Sequence, residues 1–495
     1  MNAVGATGNG SGNTGSMPGL AAVTLPRGRR GAELLMLAFS IGLVLFAYAS
    51  AGLGLNGHVP TGLATYGLLF AALMIAAHLA IRRLAPWADP LLLPLAALLN
   101  GLGLVMIYRL QESGRNGNPG NVISTMSAST TTFQLAWSAI GVIAFVAVLV
   151  VVREPRSLQR YTYTLGALGL VLVALPALLP SSISEVPGTG AKIQIALGGF
   201  SIQPEEFAKL ALAVFFAGYL VAKRDVLALA GRHVLGIALP RARDMGPVLI
   251  AWGASLLVLV FESDIGTSAL FFGLFLIMLY VATQRTSWLL IGALLFVVGA
   301  YTASRLFSHV AVRFSVWLHP FKFVNVFCGS PSVHVPCVPS YQLAQGLYGL
   351  GFGGILGTGL GHGQPYLTPL VQSDFIITAF GEELGLTGLM ALLLIYGLIV
   401  QRGLRAAVAV RDPFSKLLAG GLAFVVALQV FVIVGGVTQL IPLTGITTPF
   451  LSQGGSSLVA SWMLIAVLMR ISDTARRPAP QPIQDEGMTQ VVRGG

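Results

Sequence analysis

The sequence predicts an all-α polytopic membrane protein with about twelve transmembrane helices. Charged residues make up only 9% of the 495 residues, whereas soluble proteins carry about 25%. Hydrophobic residues make up 55% of the chain, and the mean hydropathy is +0.81. Apolar runs of about twenty residues, long enough to cross a hydrocarbon core of about 30 Å as helices, recur between Glu33 and Ser472. The composition therefore disfavours a disordered chain or an open sheet.

The apolar runs define the individual elements in chain order. Each run has the length of a membrane helix, and polar or charged residues, Gly and Pro mark its ends. We place the spans near residues 32–53, 62–81, 90–108, 133–152, 162–180, 204–222, 246–262, 264–282, 286–305, 375–400, 414–438 and 450–470.

The same pattern divides the chain into four parts. Residues 1–30 form a tail rich in Gly, Asn, Ser and Thr, which is too polar for a signal peptide and is predicted to be disordered. Residues 31–89 hold the first two spans, and residues 90–472 form the main membrane core. Residues 473–495 form a polar C-terminal tail.

The net charge of +11 is better explained by membrane orientation than by nucleic-acid binding. Most of the 29 Lys and Arg residues fall in the two tails and in alternate connections, which the positive-inside rule places in the cytoplasm. We therefore expect a multi-pass protein of the cytoplasmic membrane with both termini cytoplasmic and no nucleic-acid partner. The positive residues outside this pattern are Arg109, Arg115, Lys192, Lys209, Arg305, Arg313 and Lys322.

Carboxylates gather at the opposite, extracytoplasmic ends of the spans. A carboxylate within a membrane span is costly unless it is paired or hydrated, so each one is a candidate functional residue. Together with Lys209 and Arg313 they predict a polar cavity that opens outward. Rim carboxylates in contact with water are the alternative. The acidic residues concerned are Glu185, Glu205, Glu206, Glu262, Asp264, Asp374, Glu382 and Glu383.

Residues 306–374 form a long extracytoplasmic connection, and connections of this length are often functional. Cys328 and Cys337 lie within it, on the oxidising side, and are predicted to form a disulfide. Residues 349–354 match the dinucleotide-binding pattern GxGxxG, but no strand precedes them, so we reject that interpretation. No His or Cys cluster has the spacing of zinc ligands, and no metal site is assigned.

A second unusual segment, Gln439–Ser457, separates the last two spans. It is fairly apolar, yet its Pro and Gly residues exclude a continuous helix. Irregular backbone at membrane depth is tolerated only where it is buried in protein or lines a watery cavity. We therefore predict a re-entrant or capping segment over the outward cavity, with an ordinary surface loop as the alternative.

Several blocks of sequence, in order, resemble the SEDS family (shape, elongation, division and sporulation) of RodA/FtsW peptidoglycan glycosyltransferases. Residues 197–209, LGGFSIQPEEFAK, resemble the family's GGFSxQPSEFAK, and residues 264–267, DIGT, resemble DLGT. Tyr341-Gln342 followed by residues 349–361 resembles YQ…GxGGxxGxGxG. Residues 373–376 with 381–385 resemble TDFIF…GEELG. Residues 442–457 resemble PVTGIPLPFxSYGGSS, and residues 103–108 resemble GLVMVYS.

The resemblance implies a ten-span core, to which the first two spans are an N-terminal addition. It also implies polymerisation of lipid II at the outer membrane surface, with Asp374 as catalytic base. Lys209 and Arg313 would contact phosphate, with Gln203 and Ser456 beside the substrate. The carboxylates that would shape the cavity or pair with Lys209 are Glu206, Asp264, Glu382 and Glu383. For Glu382 and Glu383, a structural role in the bundle is an equal alternative. A divalent cation, Mg²⁺ or Mn²⁺, held by nearby carboxylates also stays open.

The resemblance further implies a single-span class B penicillin-binding transpeptidase as partner, within the membrane lipids. The wording GHGQPYLTPLVQSDFI and the short C-terminal tail favour the elongation branch, with a division-specific FtsW-like polymerase as the alternative. Glu205 stands where the family usually has Ser, and Gln453 where Tyr is common. A lipid II flippase or unrelated carrier is the competing class, but the halves show no evident repeat.

Overall fold

The computed structural model describes residues 30–115, 130–184, 192–197, 200–227, 230–234, 237–240, 246, 249–250, 252–254, 265–322 and 338–478. Residues Arg30–Arg477 form one compact unit. The described parts of this unit are mainly helical, which confirms the predicted all-α membrane fold. The predicted disordered tail, residues 1–30, lies outside the described residues except for Arg30, and so do residues 479–495 of the C-terminal tail.

Fourteen helices have both ends within the described residues, together with two short 3₁₀ turns, Pro155–Tyr161 and Pro365–Leu367. The helices are α1 (Arg30–Asn56), α2 (Leu63–Leu84), α3 (Leu92–Arg115), α4 (Thr130–Val151), α5 (Thr162–Leu178), α6 (Ser181–Ser184), α7 (Pro204–Leu227), α8 (Ile265–Thr283), α9 (Thr286–Leu306), α10 (Ser308–Leu318), α11 (Val338–Gly353), α12 (Ile376–Ala409), α13 (Pro413–Val437) and α14 (Gly455–Arg476).

Among the described residues, 10 helices are long and apolar enough to cross a membrane: α1 to α5, α8, α9 and α12 to α14. They coincide with ten of the predicted spans. The predicted span 204–222 corresponds to α7, which has helical length but carries Glu205, Glu206 and Lys209 near its start. Of the predicted span 246–262, the structure describes residues 246, 249–250 and 252–254, which are helical, and the other residues of the span are outside the described part.

Helices α3 and α14 are the most buried of these spans. Helix α14 packs against α4, α3 against α1, α5 against α7, and α12 against α13. Helix α9 is the least buried span, and most of its apolar surface faces away from the rest of the protein. This distribution is expected for a bundle in lipid, where outer helices keep apolar side chains on their exposed faces.

Two short antiparallel hairpins flank α7 in the chain and were not predicted from the sequence. Strand β1 (Ile195–Leu197) pairs with β2 (Phe200–Ile202), with Ile195 opposite Ile202. Strand β3 (Ala230–Val234) pairs with β4 (Ile237–Pro240), with Val234 opposite Ile237. Strands of this length give no clear period-2 signal, so the sequence did not reveal them.

Helix α12 has 34 residues and is interrupted at Gly385, where φ is 68°. A continuous helix of that length would extend about 51 Å, well beyond the hydrocarbon thickness of about 30 Å. A Cβ atom at Gly385 would lie 2.3 Å from the backbone nitrogen of Gly357. The interruption therefore separates a short helix, which starts near Asp374, from a remainder long enough to cross the membrane.

Candidate active site

Asp374 lies immediately before α12, in a turn, and is only 9% exposed. The Ser373 hydroxyl donates a hydrogen bond to its Oδ1 atom at 3.0 Å. Burial raises the pKa of Asp374 to about 6, and the hydrogen bond from Ser373, the backbone and the charge of Arg313 oppose part of the rise. A carboxyl with a pKa near the working pH is suited to accept a proton in a reaction.

The turn that carries Asp374 is held from two sides. The Gln342 side chain, on α11, donates to the carbonyl oxygen of Pro369 at 3.1 Å. On the other side, the backbone nitrogen of Gln453 donates to the carbonyl oxygen of Gln372 at 2.7 Å, and the Ser452 hydroxyl donates to that of Ser373. The carboxylate is therefore fixed by the chain on both sides of it.

Residues 439–454, which we call the capping segment, contain the partners Ser452 and Gln453. The segment contains no helix, and φ is positive at Gln439, Gly445 and Phe450. Several of its residues are nevertheless buried in the protein. The backbone is therefore irregular and partly buried in protein, as expected, whereas its position over an outward cavity stays a prediction.

Arg313, on α10, contacts the same capping segment. Its Nη1 atom donates to the carbonyl oxygens of Leu443 and Thr444, at 3.3 and 3.0 Å. The charge of its guanidinium also acts on Asp374, because it lowers the pKa of that carboxyl. Asp374 and Arg313, two of the residues selected from the sequence, are therefore linked electrostatically.

Lys209 occupies a second buried cluster, on α7. The Lys209 ammonium, 2% exposed, forms an ion pair with Glu206 and donates to the Gln429 side-chain oxygen at 3.0 Å. The Thr447 hydroxyl donates to the other Glu206 oxygen at 3.3 Å. The predicted alternative that Glu206 pairs with Lys209 is therefore observed, and the pair is linked to the capping segment through Thr447.

A small pocket borders this cluster. Thr267, on α8, donates from its hydroxyl to Glu205 at 3.2 Å at this pocket. The predicted site residue Asp264 precedes α8 but lies outside the described residues. The lining residues are Glu205, Glu206, Lys209, Thr267, Leu270, Phe271, Gln429 and Ile446.

Gln203 and Ser456, also selected from the sequence, contact each other. The backbone nitrogen of Gln203 donates to the Ser456 hydroxyl at 3.0 Å. Ser456 is 3% exposed and Gln203 is partly buried. This contact joins the residue before α7 to the first turn of α14, so it fixes the start of the helix that carries Lys209.

Glu382 and Glu383 have structural contacts in α12. Glu383 pairs with Arg109 of α3, and both side chains are almost fully buried. The Arg109 Nη2 atom also donates to the carbonyl oxygen of Gly363 at 2.6 Å. Glu382 accepts a hydrogen bond from the backbone nitrogen of Gln364. These contacts fit the structural role that the sequence analysis kept as an alternative.

Arg109 was not selected from the sequence as a site residue. Two features of the sequence could have pointed to it. Arg109 is an arginine at the end of an apolar span, and it is one of the few positive residues that depart from the positive-inside pattern. Such a residue must have a buried partner, but the sequence alone did not show that the partner is Glu383.

Cys328 and Cys337 lie outside the described residues, so their disulfide stays a prediction. Within the part of the chain that the structure describes, no group of three His, Cys, Asp or Glu residues could hold a metal ion. Asp264 and Glu262 are not in that part. A divalent cation at the site also stays a prediction.

A family model described as "Cell cycle protein", which covers FtsW, RodA and SpoVE, matches residues 89–477. This match spans well over half of the chain and includes every helix from α3 to α14. The chain belongs to the FtsW/RodA/SpoVE family. The family region begins after α2, so α1 and α2 lie outside it.

Members of the FtsW/RodA/SpoVE family with curated names are similar over long regions. The chain is 49% identical over 454 residues to "Peptidoglycan glycosyltransferase RodA" of Mycobacterium tuberculosis, which covers 91% of this chain and 92% of that relative. It is 30% identical over 395 residues to "Stage V sporulation protein E" of Bacillus subtilis, which covers 78% of this chain and 98% of that relative.

A solved structure of the same fold is described as "Structural coordination of polymerization and crosslinking by a peptidoglycan synthase complex". Its matching chain has 22% sequence identity and a TM-score of 0.50, and the match covers 84% of this chain and 98% of that one. At this identity the match supports the fold of the FtsW/RodA/SpoVE family and no finer property.

Proposed function

We propose that this protein is a peptidoglycan glycosyltransferase that polymerises lipid II into glycan strands at the outer face of the cytoplasmic membrane. Support comes first from relatives named peptidoglycan glycosyltransferase RodA, at 49% identity over 91% of the chain. The single structural observation that carries the proposal is the buried, fixed carboxyl of Asp374, with its pKa raised to about 6 by burial.

The proposed reaction forms a glycosidic bond between two lipid II molecules. A sugar hydroxyl of one molecule attacks the anomeric carbon of the other, and the bond from that carbon to the pyrophosphate oxygen breaks. The pyrophosphate leaves with the bonding electrons, so no protein acid is required. The hydroxyl proton passes to the Asp374 carboxylate, which acts as general base.

Positive charge would stabilise the departing pyrophosphate oxygens. Arg313 is the better candidate of the two sequence-selected cations, because its charge acts directly on Asp374. Lys209 is buried in an ion pair with Glu206. Any contribution of Lys209 to substrate binding would therefore depend on that ion pair. We assign Gln203, Ser456 and Asp264 to the surroundings of the substrate.

We assign the protein to the elongation branch by similarity. The RodA relatives share 49% identity with the chain, whereas relatives named FtsW share 27–30%. We propose a multi-pass protein of the cytoplasmic membrane with both termini cytoplasmic, because the positive charge of the connections alternates accordingly. A class B penicillin-binding transpeptidase is the proposed partner.

The direct test is to incubate purified protein with lipid II in detergent or vesicles, with and without the class B partner. The proposal expects polymeric glycan strands that a muramidase can digest. A flippase or carrier would instead move lipid II between leaflets and yield no polymer, even with the partner present. That result would overturn the proposed function.

A further inference from the structure

The end of α1 farthest from Arg30 touches the glycine-rich segment that precedes Asp374. A Cβ atom at Gly54 would lie 2.3 Å from the carbonyl oxygen of Leu360 and 3.2 Å from Cα of Gly361. Conversely, a Cβ atom at Gly361 would lie 2.8 Å from the carbonyl oxygen of Ala51. The two backbones therefore meet directly, and any side chain at Gly54 must displace one of them.

The same segment, residues 354–364, is bonded on its other side to α12. The backbone nitrogens of Thr358 and Gly359 donate to the carbonyl oxygens of Glu382 and Glu383, at 3.0 and 2.9 Å. Arg109 of α3 adds the bond to the Gly363 carbonyl oxygen at 2.6 Å. The segment is thus held between α1 on one side and α3 with α12 on the other.

The opposite end of α1 is anchored firmly. The Arg30 guanidinium donates to the carbonyl oxygens of Ala85 and Ala88, at 2.6 and 3.1 Å, and pairs with the buried Glu33. His78 of α2 contacts the same carboxylate at 2.9 Å. Because α1 is fixed at this end, a clash at Gly54 is transmitted to the glycine-rich segment instead of being relieved by sliding of the helix.

The segment connects to the proposed base over a short length of chain. Residues 354–364 lead directly into the turn that ends at Asp374, and they are bonded to the first turns of α12, which begins just after it. A displacement of the segment would therefore reach Asp374 from both directions. In an active site, a shift of about 1 Å can cost about 10²-fold in rate.

We propose that the outer end of α1 is a positioning element of the active site, which acts through the glycine-rich segment on Asp374. This inference rests on the proposed function. It assigns a role to a helix outside the family region, which begins at residue 89. Gly54 is a positioning residue in this assignment, because it touches the segment and not the substrate.

The test compares Gly54→Ala with Gly42→Ala in the full-length protein with its partner. Both changes add one methyl group to the same helix, but a Cβ at Gly42 meets nothing within 4 Å. We expect Gly54→Ala to lower kcat for lipid II polymerisation about tenfold with little change in KM, because the base is displaced while substrate contacts remain. Gly42→Ala should retain the kcat of the unmodified protein.

Hydrogen exchange across residues 354–374 is measured on the same three proteins. Faster exchange in Gly54→Ala only, together with the lower kcat per folded molecule, supports the positioning role. An unchanged kcat and unchanged exchange in Gly54→Ala would overturn it, and so would a lower thermal stability with normal kcat. If Gly54→Ala does not fold, the second variant is Arg109→Lys, which releases the segment from the α3 side. It should show the same loss of kcat and faster exchange across residues 354–374. An unchanged kcat and unchanged exchange in Arg109→Lys would overturn the proposal.

These readouts separate the two proposals. If the unmodified protein with its partner makes no glycan polymer, the proposed function fails. The exchange comparison between Gly54→Ala and Gly42→Ala then still decides whether α1 holds the segment. Equal exchange in the two variants would overturn the positioning contact by itself.

Discussion

The Nη1 atom of Arg313 donates a hydrogen bond to the carbonyl oxygen of Thr444 at 3.0 Å. This bond fixes the guanidinium against the capping segment, whose residues Ser452 and Gln453 also hold the turn of Asp374. The capping segment therefore orients both the proposed base, Asp374, and Arg313, whose charge lowers the pKa of that base. The arrangement has consequences for the pH dependence of the reaction.

The first prediction concerns the acid limb of the pH profile. A base must be ionised, so kcat/KM should fall as the pH drops below about 6, the pKa to which burial raises Asp374. The charge of Arg313 lowers that pKa, so Arg313→Gln should move the acid limb to higher pH. Arg313→Lys retains the charge and should move it less. Profiles of polymerisation between about pH 5 and pH 8 would measure both shifts.

An unchanged acid limb in Arg313→Gln would contradict this coupling. Thermal stability provides an independent check, because the same pKa shift should raise stability at the acid pH values where it lowers activity. The folded-state pKa of about 6 exceeds the usual Asp value of about 3.9, so the folded state binds more protons between these values. This carboxyl therefore adds stability as the pH falls through that window, and Asp374→Asn should lack the increase.

The second prediction concerns the buried ion pair of Glu206 and Lys209. Removal of one partner leaves an uncompensated buried charge, at a cost of about 3–5 kcal/mol. We therefore expect Lys209→Met to lower the melting temperature strongly, and Glu206→Gln/Lys209→Met to recover much of the loss. Melting curves in detergent would measure this coupling. Losses that simply add in the double variant would show that the two side chains do not act as a pair.

The third prediction concerns membrane orientation. In a background with both cysteines replaced by Ser, Ser332→Cys should react with an impermeant maleimide added to intact cells, because residues 306–374 are expected outside. The matched control is Ser157→Cys, at an exposed residue between α4 and α5, which should react only after permeabilisation. The reverse pattern of labelling would invert the proposed orientation.

The fourth prediction concerns Cys328 and Cys337. We expect a disulfide between them, because both lie in the connection predicted to face the oxidising side. A disulfide of this kind typically adds about 2–4 kcal/mol of stability. Mass spectrometry of non-reduced peptides should find the two cysteine peptides joined. Two free thiols would refute the bond without affecting the proposed reaction.

Much of the fold could be predicted because membrane helices have a strong composition signal. Ten predicted spans were confirmed, since a run of about twenty apolar residues has few alternatives in lipid. The interruption of α12 was missed, because Gly385 gives no hydropathy signal and its positive φ depends on the close approach of Gly357. The two short hairpins were also missed.

The candidate site was partly accessible from sequence for a similar reason. Ionisable residues in or near membrane spans are few, so Asp374, Lys209 and Glu206 were conspicuous. Their partners were not, because Gln429, Thr447 and Ser373 are common polar residues whose importance depends on distances in the folded chain. The contact of Gly54 with Leu360 joins distant parts of the chain, and no local pattern predicts it.

The central claim is that Asp374 is the general base of lipid II polymerisation. Asp374→Asn has nearly the same shape but is far less basic, so folding and lipid II binding should be retained. The decisive measurement is the rate of glycan synthesis from lipid II by purified Asp374→Asn with the proposed class B partner, relative to the unmodified protein. We predict a decrease of about 10²–10⁴-fold with unchanged lipid II affinity. Synthesis at the unmodified rate would show that Asp374 is not the base.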